Sequence, residues 1–379
     1  MRTHVFIVSD DTFPSHLQYL FAGTGVFNQK RRIWLDEHIG LLSDIKRVRV
    51  GDLVIFYIEA TKKVKGGFYG VFKIADQNPL VFHVPGQNGF QPSLGMKLIY
   101  RTLLEPYEVY TDGVPEWEAL DKLPVYATEI QWSLIYRKLK GKRGCTPLLP
   151  WESQRLINMI RNKNQGNPIA NAQFTGGFDW DITNRKIITT QTRHSYLYST
   201  NYNFNILRSI CDLQGEGKAY EVHLQLYFTE NIEINPNLNP IVGNNLIWFG
   251  NEVTCGVGMQ KIDILTICQS NDRKEYRLIE LKYKPVQPGV VEQLEYYVNW
   301  ASQNSGKHLE SSSNWNLQPI IVAPELNSKF KKSGQKTKRW QKIVDRFNEY
   351  NGKNISLPIL YFEFIVECGE SISFQRINY

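Results

Sequence analysis

The chain has 379 residues, 42% of them hydrophobic and 21% charged, with a formal net charge of +7. That length is ample for two cores and that composition excludes a disordered chain. No run approaches the roughly 18 apolar residues a spanning helix needs, and the modest positive charge permits a polyanionic partner without demanding one.

Elements follow in chain order. "MRTHVFIVSDD" has one short apolar run and then acids, so it is not read as a signal peptide. Strands are expected at Thr3–Asp10, Asp52–Ala60, Gly66–Asp76 and Lys97–Leu104, punctuated by Gly, Pro and Asn. Such short strands suggest a small barrel or a strongly curved sheet. "VPEWEALDKL" and "TEIQWSLIYRKLK" add short helices, and Pro150 ahead of Leu156, Ile157 and Ile160 opens a closing helix. "NKNQGNPIANAQFTGG" has linker chemistry. The chain is therefore divided into a first domain (1–165), a linker (166–200) and a second domain (201–379).

The second half is mixed. A helix is expected at Lys218–Asn231, then a strand pair across 261–283, a helix at Pro288–Ser302 and a strand at Leu317–Glu325. A basic helix (Lys336–Tyr350) and two closing strands complete an α/β order. The five cysteines form no CxxC pair and are odd in number. They suggest neither a disulfide framework nor a zinc site, and reduced thiols in a cytoplasmic protein are expected.

The strand pair "KIDILTICQSNDRKEYRLIELKY" carries the most chemistry. A turn centred on Asn271-Asp272 sets Asp263 directly opposite Glu280, with Cβ atoms about 5 Å apart. Lys282, two residues beyond Glu280, shares their face, while Ile262, Ile264, Ile279 and Leu281 take the other. Two opposed carboxylates destabilise a hairpin unless something compensates, and a divalent cation is the simplest compensation. Hard oxygen ligands from Asp263, Glu280 and a backbone carbonyl at Leu281 suit Mg²⁺, with Mn²⁺ as substitute. A metal there activates water and neutralises charge developing on a phosphodiester, and Lys282 positions the nucleophile or stabilises that charge. A solvated Asp and a Glu–Lys surface pair is the plainer alternative.

The ordered set Glu221 … Asp263 … Glu280-Leu281-Lys282 … Gln293 resembles the PD-(D/E)XK nuclease superfamily. More narrowly, "VGMQKIDIL", "IELK" and "EQLEYY" resemble the NucS-like (EndoMS) endonuclease domain over roughly residues 205 to 325. The resemblance implies a restriction-endonuclease-like α/β core. It implies Asp263 and Glu280 as metal ligands, Lys282 as the catalytic lysine and Gln293 as an auxiliary polar residue. Glu221 is implied as the helix carboxylate, with Glu216 and Glu230 as alternatives. Lys284 is read as a phosphate contact or plain surface.

"VRVGDLVIFYIEATKKVKGGFYGVFKIAD" and "RGCTPLLPWESQRLINMI" resemble the PUA-like superfamily, in its EVE/YTH branch, over approximately residues 3 to 160. That implies a small β-barrel with helices that captures a base in an aromatic pocket. Trp34, Tyr57, Phe68 and Trp117 are candidate walls, with Ser9 and Asp10 at an edge. Arg47 and Arg49, in a run with Lys46, and Lys138, Lys140, Lys142 and Arg143 in "YRKLKGKRG" are candidate phosphate contacts.

Together these readings lead to a Mg²⁺-dependent endonuclease acting on double-stranded DNA, of the modification-dependent restriction type. No HNH-type cluster is evident among the seven histidines. A mismatch- or structure-specific repair nuclease and a non-catalytic nucleic-acid binder stay open, as does a homodimer.

Overall fold

The computed structural model describes residues 1–25, 35–62, 64–76, 80–82, 98, 100–120, 144–195, 205–255, 260–270, 273–304, 315–326, 334–353, 355–368 and 370–379. They divide into two units, 1–204 and 205–379. The candidate residues Trp34, Lys138, Lys140, Lys142 and Arg143 lie outside the described residues, as does the helix expected at 128–140.

The first unit is built on β1 (Thr3–Val8), α1 (Phe13–Tyr19), β2 (Phe21–Thr24), α2 (Leu35–Lys46), β3 (Leu53–Ile58), β4 (Gly67–Ile74) and β5 (Leu80–Phe82). There follow β6 (Tyr100–Pro106), β7 (Glu108–Val109), β8 (Val114–Pro115), α3 (Glu116–Leu120), β9 (Cys145–Leu148) and α4 (Pro150–Lys163). The strand order β2-β6-β4-β3-β1-β9 makes a curled sheet. Every residue of β3, "LVIFYI", is buried, which suits a strand covered on both faces. It pairs in parallel with β1 and antiparallel with β4. Val5, Ile55, Tyr57, Phe68 and Val71 from these strands pack with Leu156, Ile157 and Ile160 of α4. Proline supplies the fixed φ of the first turn of α4, and Glu152 accepts the Leu149 backbone N–H at 2.8 Å.

The described part of the segment read as a linker, residues 166–195, carries strands. β10 (Ala170–Asn171) pairs with β7, and β11 (Gly177–Asp181) forms a hairpin with β12 (Lys186–Thr190). Phe178 and Trp180 of β11 are buried, Trp180 edge-on against Phe13 at 4.9 Å. Two buried rings in five residues are enough to anchor a hairpin. The surrounding Asn, Gly and Thr mark its turns and not an unstructured tether.

The second unit opens with α5 (Ile206–Gly215), α6 (Glu221–Asn231) and α7 (Asn239–Val242). Then come β13 (Leu246–Cys255), β14 (Gln260–Ser270), β15 (Arg273–Leu281), α8 (Val290–Asn304), β16 (Trp315–Pro324), α9 (Gly334–Asn351), β17 (Leu360–Glu367) and β18 (Ser371–Ile377). The six strands lie in chain order. β15, β16 and β17 run parallel, joined by the crossover helices α8 and α9, and the outer pairs are antiparallel. Neither α5 nor β13 is among the elements expected from the sequence.

Cys211 of α5 and Cys368, in the turn between β17 and β18, form a disulfide across 157 residues of chain. This corrects the expectation of reduced thiols for that pair. Cys145, Cys255 and Cys268 are free and buried. A separation that long leaves no spacing signal; only the fold brings the two Cα atoms to 5.4 Å. Among the described residues no helix is long and apolar enough to cross a membrane.

Candidate active site

The hairpin register is the one the turn implies. Ile264 faces Ile279 and Ser270 faces Arg273, so Asp263 and Glu280 are the next residues in register. There the two strands part. Glu280 and Leu281 continue pairing with Ile321 and Val322 of β16, and Asp263 bridges the gap with its side chain. Its Oδ2 accepts the Leu281 backbone N–H at 2.8 Å. The Tyr297 hydroxyl of α8 spans the same gap, 2.8 Å from the Lys261 carbonyl and 3.0 Å from Glu280 Oε2.

The parting of β14 from β15 therefore leaves two carboxylates side by side in an otherwise apolar layer. Ile262, Ile264, Ile279 and Leu281 are all fully buried behind them. Glu280 is buried at 3% exposure and Asp263 is half-buried. Lys282 places its Nζ 2.5 Å from Glu280 Oε1. Gln225 of α6 donates to Asp263 Oδ1 at 2.9 Å. On the far side of β14, Glu252 stands opposite Asp263 in the β13 register with a left-handed φ of 47°, its carboxylate on Lys261.

The electrostatics follow from burial and like charge. Burial, then the Glu280 charge, raises the Asp263 pKa well above the usual carboxylate range. Burial also raises that of Glu280, against the opposing pull of Lys282 and Tyr297. Burial alone would lower Lys282, but the Glu280 charge and hydrogen bond outweigh it and hold the ammonium protonated. The charge of Glu221 is felt by all three groups.

Glu221, Lys282, Lys284 and Gln293 line one cleft of about 270 Å³, together with Pro285, Gln287 and Gly289 of the following loop. Asp263 and Glu280 do not line it and adjoin it through Lys282. Glu221 begins α6; the alternative Glu216 is exposed on Lys218 instead, 2.6 Å away. Gln293 is exposed on the first turns of α8. All five residues read from the sequence as catalytic thus belong to one neighbourhood. Two further contributors were missed, Gln225 and Tyr297. Each lies four residues after a residue that was identified, Glu221 and Gln293, on the same helix face.

Among the described residues no three His, Cys, Asp or Glu side chains gather closely enough to hold an ion by themselves. The donor set is two carboxylates with a third at the cleft. Mg²⁺ is commonly held this way, through one or two carboxylates with the remaining positions left to water and phosphate.

Among the described residues of the first unit, the candidate pocket residues take different places. Tyr57 and Phe68 are fully buried core, their tilted rings 5.0 Å apart, and Tyr57 donates to Glu116 at 2.8 Å. Arg47 is fully buried, its guanidinium on Asp44 and the Cys145 sulfur. Arg49 turns back to the Lys46 and Val48 carbonyls, with its backbone on Asp52. Tyr57, Phe68 and Arg47 are corrections, and Arg49 is half-buried: sequence shows ring and charge but not which side of a sheet or helix is covered. Ser9 is exposed and bonded to Thr12, Asp10 pairs with Arg185 at 3.1 Å, and Trp117 is exposed on α3.

No family model matches the chain, and no curated protein does. Among solved structures, a hypothetical protein from Leishmania major is 14% identical, over 43% of this chain and 96% of its own, with a TM-score of 0.29. Human THYN1, in complex with DNA containing 5-methylcytosine, is 13% identical over 42% of this chain and 98% of its own, with a TM-score of 0.27. The restriction endonuclease FokI is 10% identical over 53% of this chain, which spans 37% of the FokI chain, with a TM-score of 0.21. Overlaps at these scores carry no functional argument; the residues of the site have to carry it.

Proposed function

We propose that the chain is a Mg²⁺-dependent DNA endonuclease, of the modification-dependent restriction type, whose second unit cuts and whose first unit reads a base. The observation that carries the proposal is the parting of β14 and β15. It leaves the Asp263 and Glu280 carboxylates side by side in an apolar layer, with the Lys282 ammonium on Glu280 and Glu221 and Gln293 on the adjoining cleft. The reader role rests on the sequence resemblance of the first unit.

In this reading Asp263 and Glu280 hold the ion, with the Leu281 carbonyl and Glu221 beside it. Bound there, the ion lowers the pKa of a water and offsets charge on the scissile phosphate. The chain's own groups do the rest. The Leu281 N–H and the Gln225 amide fix the orientation of the Asp263 carboxylate. Tyr297 and Lys282 fix that of Glu280. Lys282 stays protonated and supplies positive charge where the phosphate becomes more negative. Gln293 offers an uncharged amide at the cleft mouth.

The test is cleavage of duplex DNA in Mg²⁺ by the wild type and by Asp263→Ala and Lys282→Ala. Each substitution is expected to lower cutting by about 10²- to 10³-fold, in keeping with loss of a group acting directly on the transition state. Undiminished cutting by either removes the proposed site. Modified, unmodified and mismatched duplexes of one sequence, run side by side, test the restriction reading, which requires that only the modified duplex is cut.

A further inference from the structure

Helix α9 carries its charge unevenly. Ile343, Phe347 and Tyr350 bury one side, and Trp340 is half-buried with its ring 5.9 Å from Tyr361. Toward the C-terminal end the cations are matched: Arg346 pairs with Glu292 and Glu349, and nearby Lys353 pairs with Glu295. Toward the N-terminal end they are not. Lys338, Arg339 and Lys342 are exposed, and no described carboxylate pairs with Lys338 or Lys342. The first turn holds no acidic residue at all. A helix that merely needs solubility gains from acids at its start, where the backbone dipole is positive, and cations there are disfavoured. This helix has the opposite arrangement.

The unmatched half also has a fixed address. Arg339 Nη2 donates to the Val286 carbonyl at 3.3 Å. Val286 lies between Pro285 and Gln287, both of which line the candidate cleft. Lys284, on the same cleft, is exposed with its ammonium 5.0 Å from the Tyr283 ring centre and no described carboxylate on it. One guanidinium thus ties the basic half of α9 to the cleft loop, and Lys284 extends the positive surface to the cleft itself.

We propose that Lys284, Lys338 and Lys342 form the track that takes the phosphate backbone of duplex DNA to the cleft, with Arg339 locking α9 against the cleft loop. The proposal deepens the nuclease reading and rests on it for the purpose of the track. The surface itself is testable without any cutting. Lys338 and Lys342 are one helical turn apart and exposed, so replacing them leaves the packed side of the helix alone.

The experiment measures binding of one duplex DNA to the full chain in EDTA, across a series of salt concentrations. Each phosphate contact contributes a slope of about −0.9 to log affinity against log salt. Lys338→Glu with Lys342→Glu is expected to weaken binding at least about tenfold and make the slope shallower by about 2. The same charge change at Arg273 and Lys274, beside the far turn of the β14–β15 hairpin, is expected to leave the slope unchanged. A slope unaltered by the α9 pair, an equal loss from both pairs, or no binding of duplex DNA by the wild type overturns the track. Thermal unfolding of each variant checks that it folds. The two readings fail separately. A wild type that binds with the expected slopes but does not cut in Mg²⁺ sinks the nuclease and keeps the surface. One that cuts with slopes indifferent to α9 does the reverse.

Discussion

The Gln225 side-chain amide donates to Asp263 Oδ1 at 2.9 Å, while its own oxygen, buried, meets no hydrogen-bond partner among the described residues. A buried amide that leaves its acceptor bare sacrifices stability for orientation. With Asp263 ionised, flipping the amide would set oxygen against oxygen. Gln225→Leu removes the donor and the bare acceptor together. Its thermal midpoint is expected to stay within a few degrees of wild type. The Mg²⁺ concentration giving half-maximal cleavage is expected to rise about 10- to 100-fold, the usual effect of losing a group that orients a metal ligand. A metal titration of cleavage rate checks this; an unchanged midpoint would leave Gln225 as packing only.

Tyr297 makes the second such contact. Its hydroxyl lies between the Lys261 carbonyl and Glu280 Oε2, and one proton serves both. Burial, then the Glu280 charge, pushes its pKa far up, so it remains a donor at every working pH. Tyr297→Phe leaves a buried carboxylate oxygen and a carbonyl short of a donor. That is expected to cost about 1–3 kcal/mol of stability by urea unfolding. It is also expected to slow cleavage about 10- to 100-fold. A variant as active and as stable as wild type would show that the hydroxyl holds neither strand.

Why the hairpin could be read and its neighbours could not comes down to range. Asn271-Asp272 marks a turn, and a side-chain period of two then places Asp263 against Glu280 with no further information. Glu221, Gln293 and the helices that carry them follow from local patterning as well. β13 is different: Gly250, Asn251 and a left-handed Glu252 interrupt it, and it holds because β14 lies beside it. β11 is held by Phe13, Tyr69 and Phe72, more than a hundred residues earlier, and β12 by pairing with β11. Arg47 shows the same limit. Its partner Asp44 is three residues away and visible, but full burial of the pair comes from packing that the sequence does not display.

The Cys211–Cys368 bond gives a prediction independent of the active site. Denatured in the absence of reductant, the chain is expected to show three titratable thiols, those of Cys145, Cys255 and Cys268. Closing a loop of this size restricts the unfolded chain, and Cys211→Ser with Cys368→Ser is expected to lower stability by about 2–4 kcal/mol. Thiol titration and urea unfolding check the two parts. Five thiols in the unreduced protein would show that the bond does not form.

Acid stability of the first unit turns on two buried histidines. His4 Nε2 donates to Asp52 Oδ2 at 2.9 Å and His16 Nδ1 to the Phe21 carbonyl at 2.9 Å. In each ring the other nitrogen is buried with no hydrogen-bond partner among the described residues, so protonation would bury an unpaired N–H. Burial lowers the pKa of His4 to about 4 and that of His16 to about 3, against 6.5 for an ordinary histidine. Below pH 6.5 the unfolded chain takes up protons that the folded chain refuses, so stability falls as pH falls. The loss begins near pH 6.5 and continues until the folded pKa values are reached. With both groups contributing, it amounts to roughly 2–3 kcal/mol per pH unit. Asp52, lowered to about 2 in the fold, adds its own loss only below its ordinary value of 3.8. The contribution of His16 is read as the difference in pH dependence between wild type and His16→Phe, about 1.4 kcal/mol per pH unit between pH 6 and 4.5, because the raised carboxylates Asp263 and Glu280 of the second unit titrate in the opposite sense in both proteins. The same pH dependence in urea unfolding of the two proteins would mean that His16 is not buried neutral.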